Sequence, residues 1–154
     1  MTDQMLQSFI RVDTGDASLS GAPLFTGTVL DNAWLACCDD LARAVDRLRK
    51  INAQDALILL RSSFCAPKVL HLLCCSPSVS HQSLQVFNSV LRSTIHSITN
   101  ADLSDVQWLQ ASLPVKEGGL GVRRVSSLAL PAFLTSAVTV STLSVQEDIL
   151  SGCV

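Results

Sequence analysis

This sequence predicts an all-α fold: an irregular bundle of five to seven helices behind a loop-rich N-terminal lead-in. Three observations carry that expectation. Beyond residue 30, apolar residues recur at spacings of three and four, the period that gathers them on one side of a helix. The chain is 48% hydrophobic, yet five Phe, two Trp and no Tyr leave a core of Leu, Val, Ala and Cys, which suits packed helices. Gly, Pro, Ser and Asn cluster between the periodic segments, where breakers belong. At 154 residues the chain is long enough for one domain that buries roughly two-thirds of its unfolded surface.

Taken in order, residues 1–30 are an irregular lead-in, with Gly15, Gly21, Pro23 and Gly27 opposing any helix and a short extended piece expected at Leu6 to Val12. The helical domain is expected over residues 31–150. Asp31 suits an N-cap, and Trp34, Cys38, Leu41, Val45 and Leu48 form the stripe of a helix of about five turns. A second helix starts near Ala53, with Ala56, Leu57, Leu60 and Phe64 inward. Pro67 ends or kinks it, and Val69 to Cys75 continues as a short, almost wholly apolar helix. Ser80 suits a cap for a helix reaching Ile98, with Leu84, Phe87, Leu91, Ile95 and Ile98 inward. Asn100 is a C-cap candidate, and Asp102 or Ser104 starts a helix holding Val106, Trp108 and Leu109, which ends near Ser112. Pro114 blocks its continuation, and Gly118, Gly119 and Gly121 allow a tight turn. Leu130, Phe133, Leu134, Ala137 and Val138 mark the apolar face of a further helix. A last turn or two spans Ser144 to Leu150, and Ser151 to Val154 should fray.

Composition narrows the class. A net charge of −2 gives the whole chain no electrostatic reason to seek nucleic acid, so any basic surface must be local. The N-terminus has neither the basic nor the apolar region of a signal peptide, and an intracellular location is expected. Cys37, Cys38, Cys65, Cys74, Cys75 and Cys153 are then free thiols, buried as small hydrophobes. Val125 to Val145 has 21 residues without a charge, long enough for a bilayer. Eight Ser or Thr and Pro131 favour a buried helix of a soluble protein instead.

Between residues 41 and 71, Arg43, Arg47, Arg49, Lys50, Arg61 and Lys68 face only Asp46 and Asp55. Arg43, Arg47 and Lys50 share one helical face, as a helix laid along phosphates requires. The same residues also fit a self-paired, solvated face, because Asp39 precedes Arg43 by four and Asp46 precedes Lys50 by four. Asp39-Asp40 is no polymerase carboxylate pair: adjacent helical side chains diverge by about 100° and cannot serve one metal pair. His71 and Cys74 are three apart, but two ligands make no zinc site, and His71 is expected to pack within its leucine-rich helix. No metal, cofactor or catalytic triad is expected. Gly118-Gly119-Leu120-Gly121 lacks the strand and the Lys-Ser/Thr pair of a phosphate loop. Arg123 and Arg124 either close the turn in solvent or hold an anion at the following helix N-terminus.

Trp108-x-Gln110-Ala111-Ser112-Leu113-Pro114, followed after four residues by Gly119-Leu120-Gly121-Val122-Arg123, resembles the segment just beyond the polymerase core of non-LTR (LINE-like) retrotransposon reverse transcriptases. Gly21 to Leu24, Asp55 to Arg61, Ala66 to Leu73, Cys75 to Pro77, Leu103 to Trp108 and Leu128 to Ser136 also resemble that region, in the same order, over about residues 20–150. The resemblance implies a helical thumb that rests against a template–primer duplex, with Arg43, Arg47, Arg61 and Lys68 where backbone contacts fall. It excludes the palm with its catalytic carboxylates, so no polymerase activity is expected, and the chain reads as a fragment, a relic or a separate reading frame. Expected partners are an RNA–DNA or DNA duplex, and a missing palm or a second copy through uncovered apolar surface; no small-molecule substrate and no membrane are expected. The alternatives are a helical protein-interaction module, or a small membrane protein spanning Val125 to Val145.

Overall fold

The computed structural model describes Asp13 and residues 16–151, with the backbone alone from Val140 onward. The expected extended piece at Leu6 to Val12, Cys153 and the last three residues lie outside the described part. The architecture is all-α. A two-residue antiparallel ladder, β1 (Ser18–Leu19) with β2 (Ala22–Pro23), precedes α1 (Thr28–Leu48), α2 (Ala53–Leu59), a π-helical turn (Leu60–Phe64) and α3 (Ala66–Cys75). Then follow α4 (Ser83–Thr99), α5 (Asp105–Ala111), a 3-10 turn (Val115–Glu117) and α6 (Val125–Ser151). The chief packings are α6 on α3, α1 on α4, and α6 on α4.

The periodic stripes become the core. Trp34, Leu41, Val45 and Leu48 of α1 meet Leu84, Phe87, Leu91 and Ile95 of α4 in one buried cluster with Leu60, Val69 and Leu73. Trp34 sits in it with its ring edge-on to Phe87 at 6.4 Å and stacked on His81 at 6.0 Å. Its indole N–H donates to Ser78 Oγ at 3.1 Å, so no polar atom of the ring is stranded.

Helix starts depart from expectation at two places. α1 begins at Thr28 behind Gly27, with no side-chain cap, and Asp31 falls in its first turn. There the carboxylate still opposes the positive helix end. It accepts from His81 Nε2 at 2.8 Å, a partner fifty residues away. α4 begins at Ser83 rather than Ser80, because His81 Nδ1 accepts from the Ser83 N–H at 3.2 Å and takes the capping role a serine was expected to fill. Asn100 ends α4 in the left-handed region as expected, and Ser104, rather than Asp102, starts α5, where it forms a reciprocal capping box with Gln107.

Pro67 neither ends nor kinks a helix. The break is at Cys65, whose N–H reaches back to the Leu60 carbonyl at 2.9 Å, and Pro67 lies in the first turn of α3, where a missing N–H costs nothing. The stretch Ala53–Cys75 is long and apolar enough to cross a membrane, with a mean hydropathy of 1.5. Its Ala56, Leu60, Cys65, Val69, Leu72 and Leu73 line the core.

In α6 the expected apolar face is turned outward. Val125 and Ala129 are buried, with Leu128 and Ala132 packed beside them, whereas Leu130, Leu134 and Val138 stand exposed. Ala129 and Ala132 on the inner side pack where α6 meets α3, and larger residues at those two positions would be overpacked. The helix runs unbroken through Pro131 to Ser151, so Ser144 to Leu150 continues it rather than forming a separate turn. Ser127 and Pro131 are both exposed, which leaves water to satisfy the carbonyl that the proline cannot serve.

Candidate nucleic-acid interface

Arg43 and Arg47 lie one turn apart on α1, and Lys68 reaches the same place from α3. Together with Asp40, Ala44, Leu48, Ile51, Leu59 and Phe64 they line a hollow of about 590 Å³. Lys68 Nζ is 2.7 Å from Asp40 Oδ2, and Arg43 pairs with the other oxygen of the same carboxylate. Hydrogen bonds from Lys68 and Arg43 hold the Asp40 carboxyl below its usual titration range. Arg47 makes no ion pair among the described residues. Three cations against one carboxylate leave an outward-facing surplus of positive charge.

The expected self-pairing of this face is not formed as drawn. Arg43 takes Asp40 rather than Asp39, and Lys50 lies beyond the end of α1 with no bridge to Asp46. A partner three residues back suits arginine here because Asp40 also meets Lys68 across the gap between helices.

Arg61 does not join the other three. It stands on the π-helical turn, and with Gln54, Leu57, Ile58, Val115, Gly119 and Leu120 it lines a separate hollow. The five-residue reach of that turn rotates it away from α1.

The glycine motif is structural. Pro114 precedes the 3-10 turn, and its carbonyl accepts from Glu117 at 2.9 Å and Gly119 at 3.1 Å. Gly118 and Gly121 take φ of 79° and 76°. A Cβ on Gly119 would lie 2.1 Å from the Leu113 carbonyl oxygen. Leu120 N–H closes on Ala111 and Gly121 N–H on Leu113, each at 2.9 Å. The turn thus binds the end of α5, where Trp108 is buried, and delivers Val122 into the core. The Arg123 carbonyl accepts from Cys65 Sγ at 3.0 Å, which ties the motif to the break ahead of α3. Burial raises the Cys65 thiol to about 11.

Arg123 and Arg124 line a hollow of about 440 Å³ with Lys116, Glu117, Ser112 and Ser127. Arg124 Nε is buried without a hydrogen-bond partner among the described residues. The first N–H of α6 is already taken: Val125 donates to Asn88 Oδ1 at 2.8 Å, and Asn88 Nδ2 donates to Ser126 Oγ at 2.7 Å. The sequence offered no sign of this buried asparagine beyond a polar residue inside an apolar helix.

His71 is exposed rather than packed. Its ring lies 3.2 Å from the Ser20 carbonyl and 3.6 Å from Cys75 Sγ, not Cys74, because α3 carries it toward the β1–β2 turn. No group of three metal-ligating side chains occurs among the described residues. Cys37, Cys38, Cys65, Cys74 and Cys75 are free. No protein-family model matches the chain, nor does any curated protein or solved structure.

Proposed function

We propose that this chain is a thumb-like helical piece of a non-LTR retrotransposon reverse transcriptase, catalytically inert by itself. Its α1–α3 surface makes weak contact with the backbone of a template–primer duplex. The observation that carries this reading is the convergence of Arg43, Arg47 and Lys68 on one hollow, although Lys68 is far from the other two in sequence. A phosphate entering there meets Arg47 directly and competes with Asp40 for Arg43 and Lys68. That competition keeps the contact weak, since two of the three cations must exchange one anion for another. The ordered resemblance over residues 20–150 supplies the choice of duplex over other polyanions.

The test is a titration of a labelled RNA–DNA duplex, with the wild-type chain and with Arg43→Glu, Arg47→Glu and Lys68→Glu combined. If all three cations neutralise phosphates, affinity should fall about 40-fold between about 50 and 200 mM salt, taking the slope of about −0.9 per contact for B-form DNA. The reversed chain should not bind. A wild-type chain that ignores the duplex at low salt, or whose affinity is indifferent to both salt and charge reversal, rules the reading out.

A further inference from the structure

The hollow ahead of α6 gathers three cations that no carboxylate pairs among the described residues. Lys116 stands on the 3-10 turn, and Arg123 and Arg124 come just before α6. The glycine turn between them folds both segments onto one cavity of about 440 Å³. Glu117 lines the same cavity, yet it too makes no ion pair among the described residues. Arg124 is partly buried, and its Nε is sealed from water with no hydrogen-bond partner among the described residues. A guanidinium that leaves water ordinarily meets a carbonyl, a carboxylate or a phosphate, because an unmatched buried donor is destabilising. The helix end itself is not the recognising group, since the Val125 N–H already goes to Asn88 Oδ1 at 2.8 Å. The side chains are.

Their number and charge select the ligand. Three cations against Glu117 leave a surplus of two positive charges, the complement of a dianion. Two guanidinium forks, an ammonium and the Ser127 hydroxyl offer more donors than the two oxygens of a carboxylate can accept. The three terminal oxygens of a phosphomonoester can be met from several sides at once. Ser112 adds no donor, because its hydroxyl already donates to the Leu109 carbonyl at 2.7 Å. Leu109, Leu113 and Leu128 complete the wall and leave an apolar side for an organic group carried by the phosphate.

From these unpaired cations and the orphaned Arg124 Nε, we propose that the cavity ahead of α6 binds the phosphate of a small phosphomonoester. Arg123 and Arg124 grip its oxygens, Lys116 adds charge, and Glu117 limits the affinity. A phosphodiester carries one charge fewer and matches the surplus less well. The cavity shares no lining residue with the α1–α3 hollow, so this inference stands apart from the duplex reading.

The test is a titration of the full chain with phenyl phosphate, inorganic phosphate and dimethyl phosphate, followed by NMR of the backbone amides and the arginine Nε–H groups. At about pH 7.5 the monoester is a dianion. It should shift the Arg124 Nε–H and the amides around Lys116 and Ser127 saturably, at least as tightly as inorganic phosphate. Dimethyl phosphate should bind about tenfold more weakly. Arg123→Gln and Arg124→Gln should each raise the dissociation constant about tenfold, whereas Glu117→Gln should lower it about threefold. Arg123 and Glu117 are exposed, so those two variants should melt as the wild type does. Arg43→Gln combined with Arg47→Gln should leave this binding unchanged, whatever it does to duplex contact. No saturation by about 10 mM monoester overturns the inference. So does dimethyl or inorganic phosphate bound more tightly than the monoester, or a Glu117→Gln chain that binds no better.

Discussion

At Gly119 the backbone of the turn passes so near Leu113 that no side chain fits, since an added Cβ would lie 2.1 Å from one carbonyl oxygen and 2.8 Å from another. Both neighbours are backbone and cannot swing aside. Gly119→Ala should therefore cost about 3 kcal/mol in urea denaturation. Gly118→Ala, where the obstacle is a φ of 79° with the nearest atom 3.5 Å off, should cost about 1 kcal/mol. Equal, small losses at the two positions would contradict the turn geometry described above. Cys65 is buried beneath the same motif, and burial raises its thiol to about 11 from an ordinary 9.0. The sign follows from proton binding: the folded chain holds this proton to higher pH than the unfolded chain does. The thiol therefore contributes its full stability below pH 9 and loses it as pH rises toward 11. Stability should fall by roughly 2–3 kcal/mol across that window, and a thiol reagent should label Cys65 only on unfolding. Cys65→Ser should flatten the alkaline fall.

Elements were legible where periodicity and capping chemistry agreed. The stripes from Trp34 to Leu48 and from Leu84 to Ile95 are the two sides of the core, and Ser104, one of the two starts offered for α5, caps it. Helix starts departed from expectation at α1, which begins behind Gly27 without a side-chain cap while Asp31 meets the distant His81, and at α4, where His81, two residues before Ser83, accepts from its N–H. The π-helical turn before Cys65 and the outward roll of α6 depend on what α3 must accommodate, which no local pattern records. Asn88 is the clearest case of a contact made by tertiary structure. It accepts from Val125 N–H and donates to Ser126 Oγ, so it joins α4 to the start of α6. Asn88→Leu should strand both groups and destabilise the chain by about 1–3 kcal/mol. Ser104→Ala, which loses one cap at an exposed helix start, should cost about 1 kcal/mol in the same thermal or urea melts. An Asn88→Leu chain as stable as wild type would show that α6 is anchored some other way.

For the molecule as a whole, three of the four cations expected to face a duplex share one surface, and the fourth does not. Arg43 and Arg47 were legible because i and i+4 on one helix must be neighbours. Lys68 was legible only as one basic residue among several, since its approach depends on how α3 packs beside α1. Arg61 was misplaced because the turn beneath it is not α-helical. The carboxylate that restrains the group, Asp40, was noticed in the sequence only as one of two adjacent acids that cannot serve a metal pair, with no link to Lys68. Arg47, the cation of this hollow without an ion pair among the described residues, is therefore the residue on which the proposed duplex contact most depends. The decisive measurement is the slope of log affinity against log salt for an RNA–DNA duplex, compared between the wild-type chain and Arg47→Gln. Loss of one phosphate contact should make the slope shallower by about one and weaken binding to all sequences alike. An identical slope, or an equal change produced by Arg61→Gln, would contradict the account.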